Sequence, residues 1–94
     1  MARGTDYSAY EAITVSSASV GLTTATILGK ESAVLTVETA VVRFRLDGAA
    51  PTSSEGHVLE VGDVLELDSS ESLAKVRFIR RDGTSATLRC SYGD

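Results

Sequence analysis

The sequence predicts an all-β fold, an antiparallel β-sandwich of jelly-roll type with about seven to eight short strands. Three observations predict it: apolar and polar residues alternate in short runs, turn signals separate these runs, and no run shows a convincing amphipathic helical period. A chain of 94 residues holds one domain. We predict a flexible N-terminal arm over residues 1–10 and a single sandwich domain over 11–94.

The stretch from residue 41 to 67 organises the prediction. Residues 41–46 alternate apolar with arginine side chains, the two-residue period of a strand with one buried face. Asp47-Gly48 then opens a turn, and a second strand is entered through the corner at residues 60–63. Pro51 falls in the loop between them, where its missing amide donor does no harm.

The chain before this stretch predicts three strands. Residues 13–16 form the first, and residues 22–28, rich in Thr and Ile, form the second, although a helical turn is also compatible with them. Residues 33–38 are apolar on both faces, which is typical of a central strand. Only Thr39-Ala40 follows, so the chain there either bends within one strand or changes sheets.

The chain after residue 67 predicts a polar loop at 68–72 and a strand over 73–80 with Val76 and Phe78 facing the core. Asp82-Gly83, a strong hairpin signal, joins that strand to a last strand. The inward side of the last strand carries Ala86, Leu88, Cys90 and Tyr92. Cys90 is therefore expected to be a buried free thiol, consistent with assembly in a reducing cytoplasm.

Composition limits the partners. The net charge of -4 argues against nucleic acid as the main partner, because gripping phosphates requires an excess of Lys and Arg. No stretch is long enough to cross a bilayer and no secretion signal is visible, so we expect a soluble protein. A 43% hydrophobic content without Trp gives a thin aliphatic core, and burial against another copy would supplement it.

Charge is unevenly spread along the chain. Every charged residue from Asp47 to Glu71 is acidic. The charged residues from 75 to 89 are all basic except for Asp82. The two blocks either pair across neighbouring strands of one subunit or meet head-to-tail between subunits.

No constellation predicts catalysis or a cofactor. His57 is the only histidine, too few imidazoles for a metal centre of the kind cupins hold, and it is expected to be a hydrogen-bonding or interface residue. Acids at the Asp-Gly turns bond to backbone amides, and no phosphate-binding glycine loop is present. We predict a protein that is not an enzyme and takes no cofactor or metal.

Two sets of side chains are predicted to form interfaces. Arg43 and Arg45 share one strand face, which Arg77 extends, and they either pair with Glu60, Glu66 or Glu38 or meet an acidic protein surface. Tyr7 and Tyr10 lie in the N-terminal arm, which is either a disordered tail or a segment that orders on a neighbour.

Three stretches together carry a family resemblance: Val-Val-Arg-Phe-Arg-Leu-Asp-Gly-Ala-Ala-Pro-Thr at 41–52, Gly-His-Val-Leu-Glu-Val-Gly-Asp at 56–63, and the closing strand Ser-Ala-Thr-Leu-Arg-Cys-Ser-Tyr at 85–92. They are similar to small proteins encoded among the head and structural genes of tailed bacteriophages. The similarity covers residues 20–92, and its most specific part runs from Asp47-Gly48 to Gly56-His57.

The resemblance implies a virion structural protein, foremost a capsid decoration or cement protein. Its implied partners are the major capsid protein and further copies of itself, with a trimer as the expected state, at the capsid surface after assembly in the host cytoplasm. The alternatives are a tail, baseplate or head-fibre component, or a carbohydrate-binding adhesin module. The contact residues we select for this role are Tyr7, Tyr10, Arg43, Arg45, Pro51, His57 and Arg77.

Overall fold

Eight strands and two short helices follow one another along residues 6–94, the part of the chain that the structure, a computed structural model, describes. The strands are β1 Tyr7–Val15, β2 Val20–Gly21, β3 Ser32–Glu38, β4 Val42–Arg45, β5 His57–Leu59, β6 Val64–Leu67, β7 Arg77–Arg80 and β8 Ala86–Gly93. The helices are α1 Thr24–Ile27 and α2 Ser70–Lys75.

The strands form two four-stranded antiparallel sheets. Sheet A has the order β1-β8-β3-β6 and sheet B the order β2-β7-β4-β5. The pairs are nested along the chain: β1 pairs with β8, β2 with β7, β3 with β6 and β4 with β5. The predicted all-β class with seven to eight strands is therefore confirmed.

Both sheets contribute to one cluster of buried apolar side chains, so they share a single core. Sheet A supplies alternate residues of β1, β3 and β8, and sheet B supplies alternate residues of β4 together with Phe78 of β7. The largest side chains that are almost wholly buried are Tyr92, Phe78, Leu35, Leu73 and Leu88. Alternation is what a strand with one face against a core requires.

Strand β8 is an inner strand of sheet A, between β1 and β3, and one of its faces is fully buried. Its inward residues Ala86, Leu88, Cys90 and Tyr92 are each at most 1% exposed, whereas Arg89 on the other face is exposed. The predicted inward face of the last strand and the buried free Cys90 are both confirmed.

A polar network joins β1, β8 and the start of α1. The Tyr92 hydroxyl donates to Glu11 Oε2 at 2.6 Å, and the Thr23 backbone N–H and hydroxyl donate to the same carboxylate. Because Tyr92 is fully buried, its hydroxyl needs such an acceptor. The sequence gives no sign of this network, since Glu11 and Tyr92 are far apart along the chain.

Helix α1 replaces most of the strand predicted over residues 22–28. The Thr23 carbonyl accepts hydrogen bonds from the amides of Thr26 at 2.9 Å and Ile27 at 3.1 Å, which closes a single turn. Gly29, with a φ of +78°, follows the turn. The contact of Thr23 with Glu11 overrides the strand preference of the Thr-rich sequence, because β-propensity depends on context.

Helix α2 occupies the predicted loop at 68–72 and the start of the predicted strand over 73–80. Ser69 caps it, with the Oγ accepting from the Ser72 amide at 3.0 Å. Glu71 in its first turn pairs with Lys75 in its last, which suits the helix dipole. Strand β7 therefore begins only at Arg77, although Val76 and Phe78 are buried as predicted.

Two links change sheets. Thr39-Ala40 carries the chain from β3 in sheet A to β4 in sheet B, so the sheet-changing alternative is the observed one, with Thr39 at a φ of +82°. The predicted hairpin at Asp82-Gly83 is wrong, because β7 lies in sheet B and β8 in sheet A. Gly83 is not among the glycines with positive φ, whereas the favoured Asp-Gly hairpin turn requires it.

The structure describes only part of the N-terminal arm predicted over residues 1–10. Strand β1 begins at Tyr7, so Tyr7–Tyr10 of the predicted arm belong to sheet A and pair with the end of β8. A shift of register between Tyr7 and Ala9 marks a bulge in this pairing. Residues 1–5 of the arm lie outside the described residues.

Stability should fall with rising pH in the range where the thiol of unfolded Cys90 ionises. Burial raises the pKa of Cys90 to about 11. Above about pH 8.5 the unfolded chain releases this proton while the folded chain keeps it, so the unfolded state becomes more stable relative to the folded state. We expect the free energy of unfolding, measured by urea titration, to drop by about 1 kcal/mol between about pH 8.5 and pH 9.5.

Cys90→Ala is the matched control, because it removes the thiol and leaves the rest of the core in place. Its absolute stability will be lower, but its slope against pH should be flatter than that of the original chain over the same range. Equal slopes in the two proteins would contradict the assignment. Burial also raises the pKa of Tyr92, whose phenol ionises in unfolded chains only near pH 10, so the range below that isolates the thiol.

Candidate functional site

An open cleft of about 510 Å³ lies where β4, its following loop and the start of β5 meet. Arg45, Leu46, Asp47, Glu55, Gly56 and His57 line it. Two of the predicted contact residues, Arg45 and His57, are therefore brought together at this end of sheet B. The cleft falls within the stretch from Asp47-Gly48 to Gly56-His57 that carries the most specific part of the resemblance.

The loop over residues 46–56 is shaped by its own polar groups. Asp47 Oδ1 accepts from the Ala49 amide at 3.3 Å, and Gly48 has a φ of +89°, so the predicted Asp-Gly turn is present. Farther along, the Thr52 and Glu55 backbones exchange hydrogen bonds at 3.0 and 3.2 Å. These local bonds give the loop a defined shape.

Arg43 fastens the far side of this loop to β4. Its Nε donates to the Ser53 carbonyl at 2.9 Å and its Nη1 to the Gly56 carbonyl at 2.8 Å. Gly56 has a φ of +138°, and a Cβ there would approach the Phe44 carbonyl to 3.1 Å and Pro51 Cβ to 3.2 Å. A glycine at this position is therefore required for the close approach of loop and strand.

Pro51 and His57 lie at the inner side of the loop. Pro51 is buried, so it supports the loop and is not an exposed contact residue. His57 is exposed at the edge of sheet B, and its ring lies 5.2 Å from the Phe44 ring at an interplanar angle of 38°. The imidazole therefore covers a core phenylalanine while its other side faces solvent.

Arg45 forms the strongest charge pair of the cleft. Its Nε and Nη2 donate to the two carboxylate oxygens of Asp47, at 3.1 and 2.5 Å. These hydrogen bonds hold the pKa of the Asp47 carboxyl below its usual value and raise the pKa of Arg45. The guanidinium thus keeps its charge but already has a carboxylate partner.

Arg77 lies opposite Arg45 on the outer face of sheet B, so Arg43, Arg45 and Arg77 do share one face. Arg77 Nη2 donates to Ser19 Oγ at 2.9 Å, while its Nε is buried without a hydrogen-bond partner among residues 6–94. A Cβ at Gly21 would lie 3.3 Å from the Val76 carbonyl oxygen, so the glycine allows the backbones to approach closely beside this side chain. Two arginines directly opposite each other repel, which makes the hydrogen bonds of each one necessary.

The predicted partners of these arginines are not the observed ones. Arg43 bonds to backbone carbonyls and Arg45 to Asp47, whereas Glu38 pairs with Arg89 at 3.1 Å. Within residues 6–94 the only ion pair between the acidic block at 47–71 and the basic block at 75–89 is Lys75–Glu71. Pairing of the two blocks across strands is therefore wrong as a general description of this subunit.

Tyr7 and Tyr10 lie away from the cleft, on the outermost strand of sheet A. They are 49% and 58% exposed. Arg89 Nη1 donates to the Tyr10 hydroxyl at 3.2 Å, which holds that ring against the outer face of the sheet. The predicted contact residues thus form two separate groups.

Within the described part of the chain, no three or more His, Cys, Asp or Glu side chains are placed to hold a metal ion. Neither helix found there is long and apolar enough to span a membrane. The charged groups around the cleft bond mostly to one another or to the backbone. The arrangement is that of a stiffened loop at a sheet edge.

Arg43→Met should loosen the loop over 46–56, because it removes both bonds to the Ser53 and Gly56 carbonyls while keeping the aliphatic length. We expect a loss of about 1–2 kcal/mol in the free energy of unfolding and faster amide exchange in the loop. Arg45→Met is the matched control, since it breaks only an exposed pair and should change stability little. Equal losses in the two variants would show that Arg43 does not fasten the loop.

Comparison with known proteins adds no relative. No protein-family model matches the chain, and no curated protein or solved structure matches it. The resemblance to phage head proteins accordingly rests on the sequence motifs alone.

Proposed function

We propose that the protein is a non-enzymatic structural component of a tailed-bacteriophage virion, a decoration or cement protein that binds the major capsid protein lattice. The observation that carries this proposal is the presence of exposed apolar side chains at both edges of sheet A. A protein that stabilises a shell by bridging neighbouring subunits needs two contact surfaces on different sides. One edge strand of sheet A is β1 and the other is β6.

The β1 edge presents aromatic side chains. Tyr7 and Tyr10 project from it, and Arg89 orients the Tyr10 ring while itself paired with Glu38. Tyrosines contribute a large contact area at small entropic cost and are enriched at protein interfaces. This edge supports the choice of the two tyrosines as contact residues.

The β6 edge presents aliphatic side chains. Val64 on β6 is 56% exposed, and Val61 in the corner before it is 55% exposed. Exposed valines beside an unpaired strand edge favour contact with another chain. Sheet A therefore presents exposed apolar side chains that can contact other proteins at both of its edges.

The arginine face has a different role in this proposal. These three arginines donate hydrogen bonds within the chain: Arg43 to the loop over 46–56, Arg45 to Asp47 and Arg77 to Ser19. We assign them to holding the cleft region rigid, so that His57 and the loop keep one shape. A preformed surface loses less entropy on binding.

Binding of many copies to one shell makes such small contact surfaces sufficient for stable attachment. One contact of a 94-residue domain is weak, but many copies that each bridge two subunits add area and avidity over a closed shell. Association of the copies with one another, expected as a trimer, raises the avidity further.

We further infer that the two sheets form a jelly roll. The nested pairs β1–β8, β2–β7, β3–β6 and β4–β5 are those of one long folded ribbon. Rolling that ribbon places alternate pairs in two sheets, and the order of the strands in sheets A and B fits it.

Binding to capsids is the direct test. Purified protein is mixed with empty heads of a phage that encodes it but from which the gene has been deleted, and occupancy is measured by co-sedimentation and cryo-electron microscopy. We expect saturable binding at regular positions on the outside of the shell. We expect Tyr7→Ala combined with Tyr10→Ala to lower the affinity about tenfold or more.

Thr14→Ala is the matched control, because Thr14 is exposed on the same strand and outside the tyrosine pair. It should bind as the original chain does. Absence of binding to heads would contradict the proposal, and binding to purified tails instead would favour the tail or baseplate alternative.

A further inference from the structure

Residues 58–66 repeat a valine-x-acid triplet, Val-Leu-Glu, Val-Gly-Asp and Val-Leu-Glu, and lead from the edge of sheet B to the edge of sheet A. We name residues 60–66 the acidic strap. Its exposed side chains are Glu60, Val61, Asp63, Val64 and Glu66. Apolar and acidic groups are thus interleaved on one side of the molecule.

The strap is held in a fixed shape. Asp63 Oδ2 accepts from the Glu60 amide at 2.8 Å, and the Gly62 amide donates to the Val37 carbonyl at 2.9 Å. Gly62 has a φ of +92°, which lets the chain turn into β6. The surface is therefore preformed.

Among residues 6–94, strand β6 at the end of the strap is an edge strand of sheet A. There it pairs with β3 on one side only, in the register Val64↔Thr36 and Glu66↔Val34. An antiparallel edge offers its outward backbone amides and carbonyls to an added strand. Val64 and Glu66, two residues apart, lie on the same face and would flank that strand.

The charges of the chain are distributed asymmetrically. Between residues 6 and 94, Lys30 and every Arg donate to a carboxylate, a hydroxyl or a carbonyl of the same chain, and Lys75 forms an ion pair with Glu71 at 3.6 Å. In contrast, no Lys or Arg of that part of the chain forms an ion pair with Glu60, Asp63 or Glu66. Since the described Lys and Arg side chains are engaged elsewhere, in this chain and equally in a second copy, a cation that pairs with these carboxylates is best supplied by a different protein.

We propose that the acidic strap docks an extended, basic segment of a partner protein, which adds to sheet A beside β6. Lys or Arg side chains of the segment meet Glu60, Asp63 and Glu66, and alternate aliphatic side chains cover Val61 and Val64. Strand addition of this kind takes affinity from backbone hydrogen bonds and specificity from alternate side chains. The identity of the partner as the major capsid protein rests on the proposed function, whereas the chemistry of the strap does not.

The probe is a capped peptide of about nine residues that alternates Lys and Val, long enough to cover a strand edge. Binding is measured by fluorescence anisotropy and by amide chemical shifts of the intact protein. We expect saturable binding, shifts concentrated at residues 60–67, and weakening as salt rises. A Glu-Val peptide and a Lys-Val peptide N-methylated at alternate residues should bind about tenfold more weakly or not at all.

Glu60→Lys with Glu66→Lys should weaken the Lys-Val peptide about tenfold or more. The matched control is Asp6→Lys with Glu31→Lys, which makes the same charge change at exposed positions beyond the other end of β3. If the Glu60→Lys/Glu66→Lys variant does not fold, Glu60→Gln with Glu66→Gln replaces it in the test. This neutral pair should weaken peptide binding by a smaller factor. Equal weakening by the control pair, or undiminished binding of the N-methylated peptide, would overturn the inference.

Two outcomes separate this inference from the proposed function. Heads that bind the original chain and the Glu60→Lys/Glu66→Lys variant equally would overturn the strap as the docking site and leave the capsid role in place. Peptide binding without head binding would support the strap and remove the capsid role. Loss of self-association in the reversed variant would show that a second copy occupies the strap, which also overturns the inference.

Discussion

The central constraint in this fold is the position of β8 between β1 and β3. Its inward residues must fill the core that sheets A and B share, so the strand alternates without interruption from Ala86 to Tyr92. Tyr92 also carries a hydroxyl into that core, and the carboxylate of Glu11 accepts its hydrogen bond. One side chain thereby joins the last strand to the first, and through Thr23 it also fixes the start of α1. The β1 edge of sheet A is in place because β1 pairs with β8 along its length.

What could be predicted from the sequence follows from period-two alternation. The residues of β8 and β4 alternate clearly because each strand has one face in the core. Helix α2 was missed, and α1 was predicted only as an alternative to a strand, for a physical reason: both are too short to show a helical period, and a serine cap or a tertiary contact fixes them. Asp82-Gly83 was misleading because an Asp-Gly pair shows that the chain turns but does not show which sheet receives it.

For the candidate site, the face on which the arginines lie was predictable, but their hydrogen-bond partners were not. Spacing alone placed Arg43 and Arg45 on one face, and the register confirms that Arg77 extends it. Their partners were not predictable, because the carbonyls of Ser53 and Gly56 reach Arg43 only through the exact course of the loop. The acidic block was correctly seen as a block, yet within residues 6–94 most of its carboxylates form no ion pair. Because the cations of the arginine face already have partners and the carboxylates beside β6 have no cation partner there, the edge of β6 is the better candidate for contact with another protein.

Contact through the edges of sheet A is the central claim, and backbone amide exchange tests it most directly. Exchange is followed by mass spectrometry for the free protein and for the protein bound to empty heads. The account predicts slower exchange on binding at residues 60–67 and at 7–10, with little change in β7 and the inner part of β8, which are already protected. Bound protein whose exchange at both edges equals that of the free protein would contradict it.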